Sequence, residues 1–181
     1  MEMYISDVLA KVLQYSKDEA MRTGSYQISP GHLFLGILRH EENEACRMLK
    51  DCGADPSECK AFLDTKLFKN ESIPYSDEDK ITLSRSAENV LSMTMLEASM
   101  AGDSEVGDRH LLLALSKSAC AECESLFRMN GISYRMLAEM CAKDEKQAEE
   151  EGHSAKEAVE TIKEELINVV EMLGNENKIF S

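Results

Sequence analysis

The stretch ISPGHLFLGIL, residues 28–38, carries a histidine behind an isoleucine four places ahead and in front of an apolar run. VGDRHLLLAL, residues 106–115, repeats the arrangement 78 residues later, with Val106 ahead of His110. A pattern written twice poses a choice. The histidines are either paired chemistry or paired architecture. The surrounding register decides it, so internal repetition is the first thing to test.

A shift of 78 places Ser6 on Ser84, Val12-Leu13 on Val90-Leu91, and Glu19-Ala20 on Glu97-Ala98. The same shift places Gly24 on Gly102, His32-Leu33 on His110-Leu111, Leu35 on Leu113, and Gly53 on Gly131. No gap is needed. Each copy reads as four helices. Ser6 and Ser84 each suit an N-cap, where a hydroxyl accepts an amide of the first turn. Val8, Leu9, Val12, Leu13 and Ala20 then recur at helical spacing. Gly24 and Gly102 suit the left-handed residue that ends a helix.

Ser29-Pro30 reads as a cap followed by proline at the first helical position. Asp108 is the expected cap of the matching helix. Leu33, Phe34, Ile37 and Leu38, with Leu111, Leu112 and Leu115, are too apolar for a surface helix. A third helix is expected over about Asn43–Cys52, ending at Gly53, with a twin ending at Gly131. A fourth is expected over Pro56–Leu67 and Ser133–Lys143. The chain thus reads as an all-α protein of two tandem four-helix repeats with pseudo-twofold symmetry. The repeats span 5–67 and 83–143 within a domain of 1–146. Runs with period-two alternation are missing, so no sheet is expected. FKNESIPYSDEDKIT, within 68–82, reads as a polar surface linker.

Residues 147–181 read as an acidic linker followed by an amphipathic helix. Ser154 and Glu157 form a possible capping box. Ala155, Val159, Ile162, Leu166, Val169 and Leu173 step by four and three, as a heptad seam does. Residues 144–181 carry net charge −7, half of the chain's −14. The helix at 154–173 either packs back on the repeats or supports a weak homodimer.

Composition bounds the function. A net charge of −14 repels phosphate backbones, so nucleic-acid binding is not expected. No apolar stretch nears the ~20 residues that span a bilayer. The N-terminus lacks a basic region followed by an apolar core, so it does not read as a signal peptide. Six cysteines without such a signal suggest reduced thiols in a cytoplasmic setting. CAEC, Cys120–Cys123, could be half a zinc site or a redox pair, or a pair of small core residues. A complete zinc site wants further ligands at fixed spacing, and Cys46, Cys52, Cys59 and Cys141 are scattered. Catalysis by His32 or His110 would need a partner at recurring spacing, and none recurs. The plainer reading has each ring bond a neighbouring backbone group and fix a helix start. His40 and His153 read as surface residues. The methionines of LSMTMLEASM, residues 91–100, suit a core, with some facing the cleft between repeats. No metal or cofactor is expected.

Two four-helix repeats with (V/I)xxxHLxLxL in the second helix resemble the N-terminal domain of the Clp unfoldases, in the style of ClpC and ClpA. The resemblance covers about residues 5–143. It implies a mobile, non-enzymatic protein-interaction module that receives substrates, adaptors or Clp subunits for an ATP-driven ring. The chain has no G-x-x-x-x-G-K-[ST] phosphate loop. It reads as a free-standing module or as the N-terminal piece of a ClpC-like ATPase. A thiol or metal enzyme using Cys120 and Cys123 is the remote alternative.

In the ClpC-type pattern, the glutamate before each histidine helps bind phosphoarginine, beside a hydroxyl at the first helix start. This sequence keeps the hydroxyls as Ser6 and Ser84. It places Gly31 and Arg109 at the glutamate positions. A lost carboxylate and an added cation both oppose guanidinium recognition. The candidate binding residues are therefore Ser6, Ser84, Gly31 and Arg109, and binding of that tag is expected to be lost or much weakened.

Overall fold

The computed structural model describes residues 2–69 and 71–145. The expected C-terminal helix, its possible homodimer seam and His153 lie outside the described residues. Helix α1 covers Asp7–Arg22, α2 Pro30–His40, α3 Glu44–Asp51 and α4 Pro56–Leu67. The second set is α5 Arg85–Met100, α6 Asp108–Lys117, α7 Ala121–Met129 and α8 Tyr134–Glu145. The all-α reading holds, and so does its pairing of helices at a shift of 78.

The caps follow the sequence. Ser6 Oγ accepts from the Leu9 amide at 2.9 Å, and Ser84 Oγ from the Ala87 amide at 3.1 Å. Gly24, Gly53, Gly102 and Gly131 all have positive φ, between 65° and 90°. In this region a Cβ is strained, so each position closes a helix that another residue would close less well. One expected cap is wrong. Gly107 is the N-cap of α6 and Asp108 is its first helical residue.

The expectation of no sheet is also corrected. Strands β1 (Tyr4–Ile5), β2 (Gln27–Ile28), β3 (Thr82–Leu83) and β4 (Glu105–Val106) form two parallel pairs. Two residues are too few to write an alternation into the sequence. The pairing crosses between copies. β1 of the first repeat pairs with β4 of the second, and β2 of the first pairs with β3 of the second. The segment expected as a surface linker takes part in this. Ile73 and Ile81 are buried, Tyr75–Lys80 forms a 3₁₀ helix, and Thr82-Leu83 is β3. The Ile73 amide donates to Met21 O at 2.9 Å, which ties the connection to the end of α1.

The core is one cluster spanning both copies. α2 is buried from Pro30 through Leu38 and α6 from His110 through Leu115. Burying an apolar side chain stabilises by about 1.5–3 kcal/mol, so these helices anchor the molecule. α1 and α2 cross closely at Gly36. A Cβ there would meet Ser16 Oγ and would lie 2.5 Å from Val12 O. Ser16 Oγ donates to Val12 O, and at the matching place Thr94 Oγ1 donates to Val90 O. Phe34 and Phe127 meet across the repeats with centroids 5.3 Å apart.

Two buried carboxylates repeat the symmetry. Glu19 accepts from Arg22 and Arg39. Its counterpart Glu97 accepts from Lys117 and from the Tyr134 hydroxyl. A buried carboxylate needs such partners, since removing it from water is costly.

Candidate functional site

The two histidines are buried, at 2% and 1% exposure. The Ser29 amide donates to His32 Nδ1 at 3.0 Å, and the Gly107 amide donates to His110 Nδ1 at 2.8 Å. Nδ1 accepts in both rings, so the neutral ring carries its proton on Nε2. In the first copy Nε2 reaches Thr23 Oγ1 at 2.9 Å, and Thr23 in turn donates to Glu19 O. In the second copy Nε2 reaches Asp103 Oδ2 at 2.7 Å. Both ring nitrogens are committed to holding a helix start. Burial, with Lys69 adding to it, lowers His32 to about 4. Burial alone would raise Asp103, but hydrogen bonds from His110 and Arg109 outweigh it and bring it to about 2. His40 is half-buried, with its ring 6.1 Å from Tyr15.

The crossed strands bring Ser6 and Arg109 to one place. Both line a cavity of 360 Å³ between the repeats, with Glu42, Glu44, Arg47 and Glu105 on its wall. Arg109 is held within the chain. Its guanidinium lies 3.1 Å from Glu44 and 2.7 Å from Asp103. Beside it, Asp108 is buried and accepts from the Ala45 amide at 2.7 Å, so the first turn of α3 sits on the first turn of α6. Burial raises the Asp108 carboxyl above its ordinary range, and the Ala45 amide opposes this.

The second seat is built differently. The Ser84 amide donates to Ile28 O at 3.0 Å, which sets Ser84 near the start of α2. Gly31 lies in the first turn of α2 and is buried. A Cβ on it would come 2.8 Å from Leu67 and 3.4 Å from Glu122. Under the shift of 78, Glu122 matches Glu44 and Gly31 matches Arg109. So the glutamate of α3 meets an arginine, while the glutamate of α7 lies over a glycine.

Asp103 and Glu44 are the residues that sequence reasoning missed, and Asp108 was read only as a cap. Asp103 precedes the helix start in sequence, but its partners are the two residues before and at the histidine pattern. Glu44 and Asp108 act across 65 and 63 residues, through the contact of two helix starts. The 78-residue register was the available signal, because it places Glu44 and Glu122 at equivalent positions.

Cys120 is the N-cap residue of α7 and is half-buried, while Cys123 is buried. No group of three or more His, Cys, Asp or Glu side chains that could hold a metal occurs among the described residues. No described helix is long and apolar enough to cross a membrane. Met100 and Met129 are each 66% exposed, whereas Met95 is buried.

These features define a class: an all-α double repeat whose copies exchange strands and share a cavity at their helix starts. The family model described as the Clp repeat (R) N-terminal domain matches residues 5–130, and the chain belongs to that family. It is 26% identical over 156 residues to the chaperone protein ClpB of Oceanobacillus iheyensis, covering 82% of this chain and 18% of that protein. It is 26% identical over 123 residues to the negative regulator of genetic competence ClpC/MecB of Bacillus subtilis, covering 68% of this chain and 15% of that protein. The chain thus spans less than a fifth of the length of these relatives. Among solved structures it is similar to the Hsp104 N-terminal domain of Candida albicans. That match has a TM-score of 0.63 and 18% identity, and covers 83% of this chain and 95% of that one. The N-terminal domain of ClpD from Arabidopsis thaliana matches with a TM-score of 0.62 and 14% identity, covering 78% and 94%.

Proposed function

We propose that this chain is a non-enzymatic protein-interaction module of the Clp system, which receives substrates, adaptors or Clp subunits. The observation that carries this reading is the cavity between the repeats. It is lined by charged side chains from both copies, and both histidines beside the helix starts are committed to structural bonds. A cavity so lined suits recognition of a polar protein surface, and its two neighbouring histidines serve the fold.

The test is capture by the immobilised protein from a native extract, followed by identification of what is held. Clp unfoldase or protease subunits are expected, and their retention should fall when Arg109 is replaced by alanine. Repeated absence of any Clp component would overturn the reading.

The site also speaks to the ligand. A guanidinium-bearing tag would meet the cation of Arg109 in one seat, and in the other Leu67 fills the space beside Gly31. Calorimetric titration with free phosphoarginine is expected to show binding lost or much weakened. Low-micromolar affinity would sink this expectation. The short span against the relatives favours a second reading, in which this module is the N-terminal part of a longer ClpC-like unfoldase. A reading frame that continues into a phosphate loop would establish it.

A further inference from the structure

We propose that Cys120 and Cys123 form a reversible dithiol–disulfide site, oxidised by low-molecular-weight disulfides, with Cys120 as the attacking thiol and Cys123 as the resolving one. The geometry begins with α7. Cys120 occupies its N-cap position and Cys123 the third residue inside it. One turn separates them, and that spacing sets their Cα atoms about 5 Å apart, within the range that a disulfide bridges. Their environments differ as the two roles require. Cys120 is half-buried and reachable from solvent, whereas Cys123 has no exposure.

The thiols also interact. Hydrogen bonding from Cys123 lowers the Cys120 thiol below its ordinary value, against the opposing effect of burial and of Glu122. The same contact, together with burial, raises Cys123. The environments of the other thiols differ. Burial pushes Cys46 and Cys59 up to about 11. Cys52 is raised by burial too, and donates to the Met140 sulfur at 3.6 Å. Cys141 is buried.

The exchange balances with a disulfide RSSR as oxidant. The Cys120 thiolate attacks one sulfur, forms a mixed disulfide and expels RS⁻, which takes up the proton that Cys120 released. Cys123 then attacks the Cys120 sulfur. It expels the second RS⁻, which takes the Cys123 proton. The S–S bond of RSSR is reduced to two RSH, and the two cysteines are oxidised to one disulfide. The position gives the reaction a neighbour that it can affect. Glu122 stands between the two cysteines in sequence, and its side chain covers Gly31.

The full chain is equilibrated with mixtures of reduced and oxidised glutathione, quenched in acid, alkylated and mapped by peptide mass. The Cys120–Cys123 disulfide is expected to form before any other cysteine is modified and to reverse with dithiothreitol. Cys123→Ala should halt the reaction at glutathione attached to Cys120. In the unmodified protein, iodoacetamide at neutral pH should label Cys120 at least about tenfold faster than Cys52. This comparison needs no variant to fold. Three results would overturn the proposal: a mixed disulfide on Cys120 that persists with Cys123 intact, labelling of Cys52 as fast as Cys120, or closure of the disulfide only in denaturant.

Discussion

His32 is kept neutral by its surroundings, and that has a measurable cost in acid. Its pKa falls to about 4 in the folded chain, against about 6.5 in an unfolded one. The unfolded state therefore takes up a proton first as the pH drops. The His32 contribution is fully present above about pH 6.5 and is lost progressively toward pH 4. Between about pH 7 and pH 5 the loss amounts to roughly 2 kcal/mol. Urea unfolding at the two pH values should show it, and His32→Gln should flatten the difference. Asp103 works in a lower window. Its depressed pKa means that its contribution is present above the ordinary carboxylate range and disappears as the pH falls toward about 2. The hydroxyl caps lend themselves to a simpler test. Ser6→Ala leaves the Leu9 amide without its acceptor and should cost about 1 kcal/mol. The histidines and their helix starts were legible in the sequence because the bonds involved span three residues. Asp108 was not. It reads as a cap from its neighbours alone, and its actual partner, the Ala45 amide, is brought to it by a separate helix.

At the scale of the element, the helix boundaries followed from serines, glycines and apolar spacing. The fourth helix of the first copy begins at Pro56 and ends at Leu67, as the sequence indicates. The strands did not follow, since two residues carry no periodicity and each strand is defined by its partner in the other copy. The connection between the repeats failed for a related reason. Its polar composition hid Ile73 and Ile81, two buried anchors at its flanks. The close crossing of α1 and α2 was equally invisible, although it leaves a trace. Gly36 matches Ala114 in the second copy, so one crossing is tighter than the other. Gly36→Ala should destabilise the protein by about 2 kcal/mol, because the added methyl meets the backbone oxygen of Val12 as well as the Ser16 hydroxyl, and the backbone cannot turn away. Ala114→Gly should cost about 1 kcal/mol through helix propensity alone. Thermal unfolding of the two variants separates the effects.

For the whole molecule, the continuous core and the crossed strands make the two repeats one cooperative unit. Unfolding in urea is expected to show a single transition, with helix content by circular dichroism and tyrosine fluorescence coinciding. Two separated transitions would mean that the repeats fold independently. The crossed strands reach further than cooperativity. Each repeat donates one strand and accepts one, so the monomer has the topology of an exchanged pair, with the connecting segment supplying the high local concentration that two free chains would lack. A chain cut down to the first repeat would keep both a donor strand and an acceptor strand, and a second copy of itself could satisfy both. Such a fragment should therefore assemble as a concentration-dependent twofold dimer, readable by light scattering on dilution. A well-folded monomeric fragment would show instead that the exchange is dispensable. On this view the chain carries two partners of a symmetric pair on one backbone, and its two equivalent seats can differ in chemistry as no true homodimer's can, with Arg109 in one and Gly31 in the other.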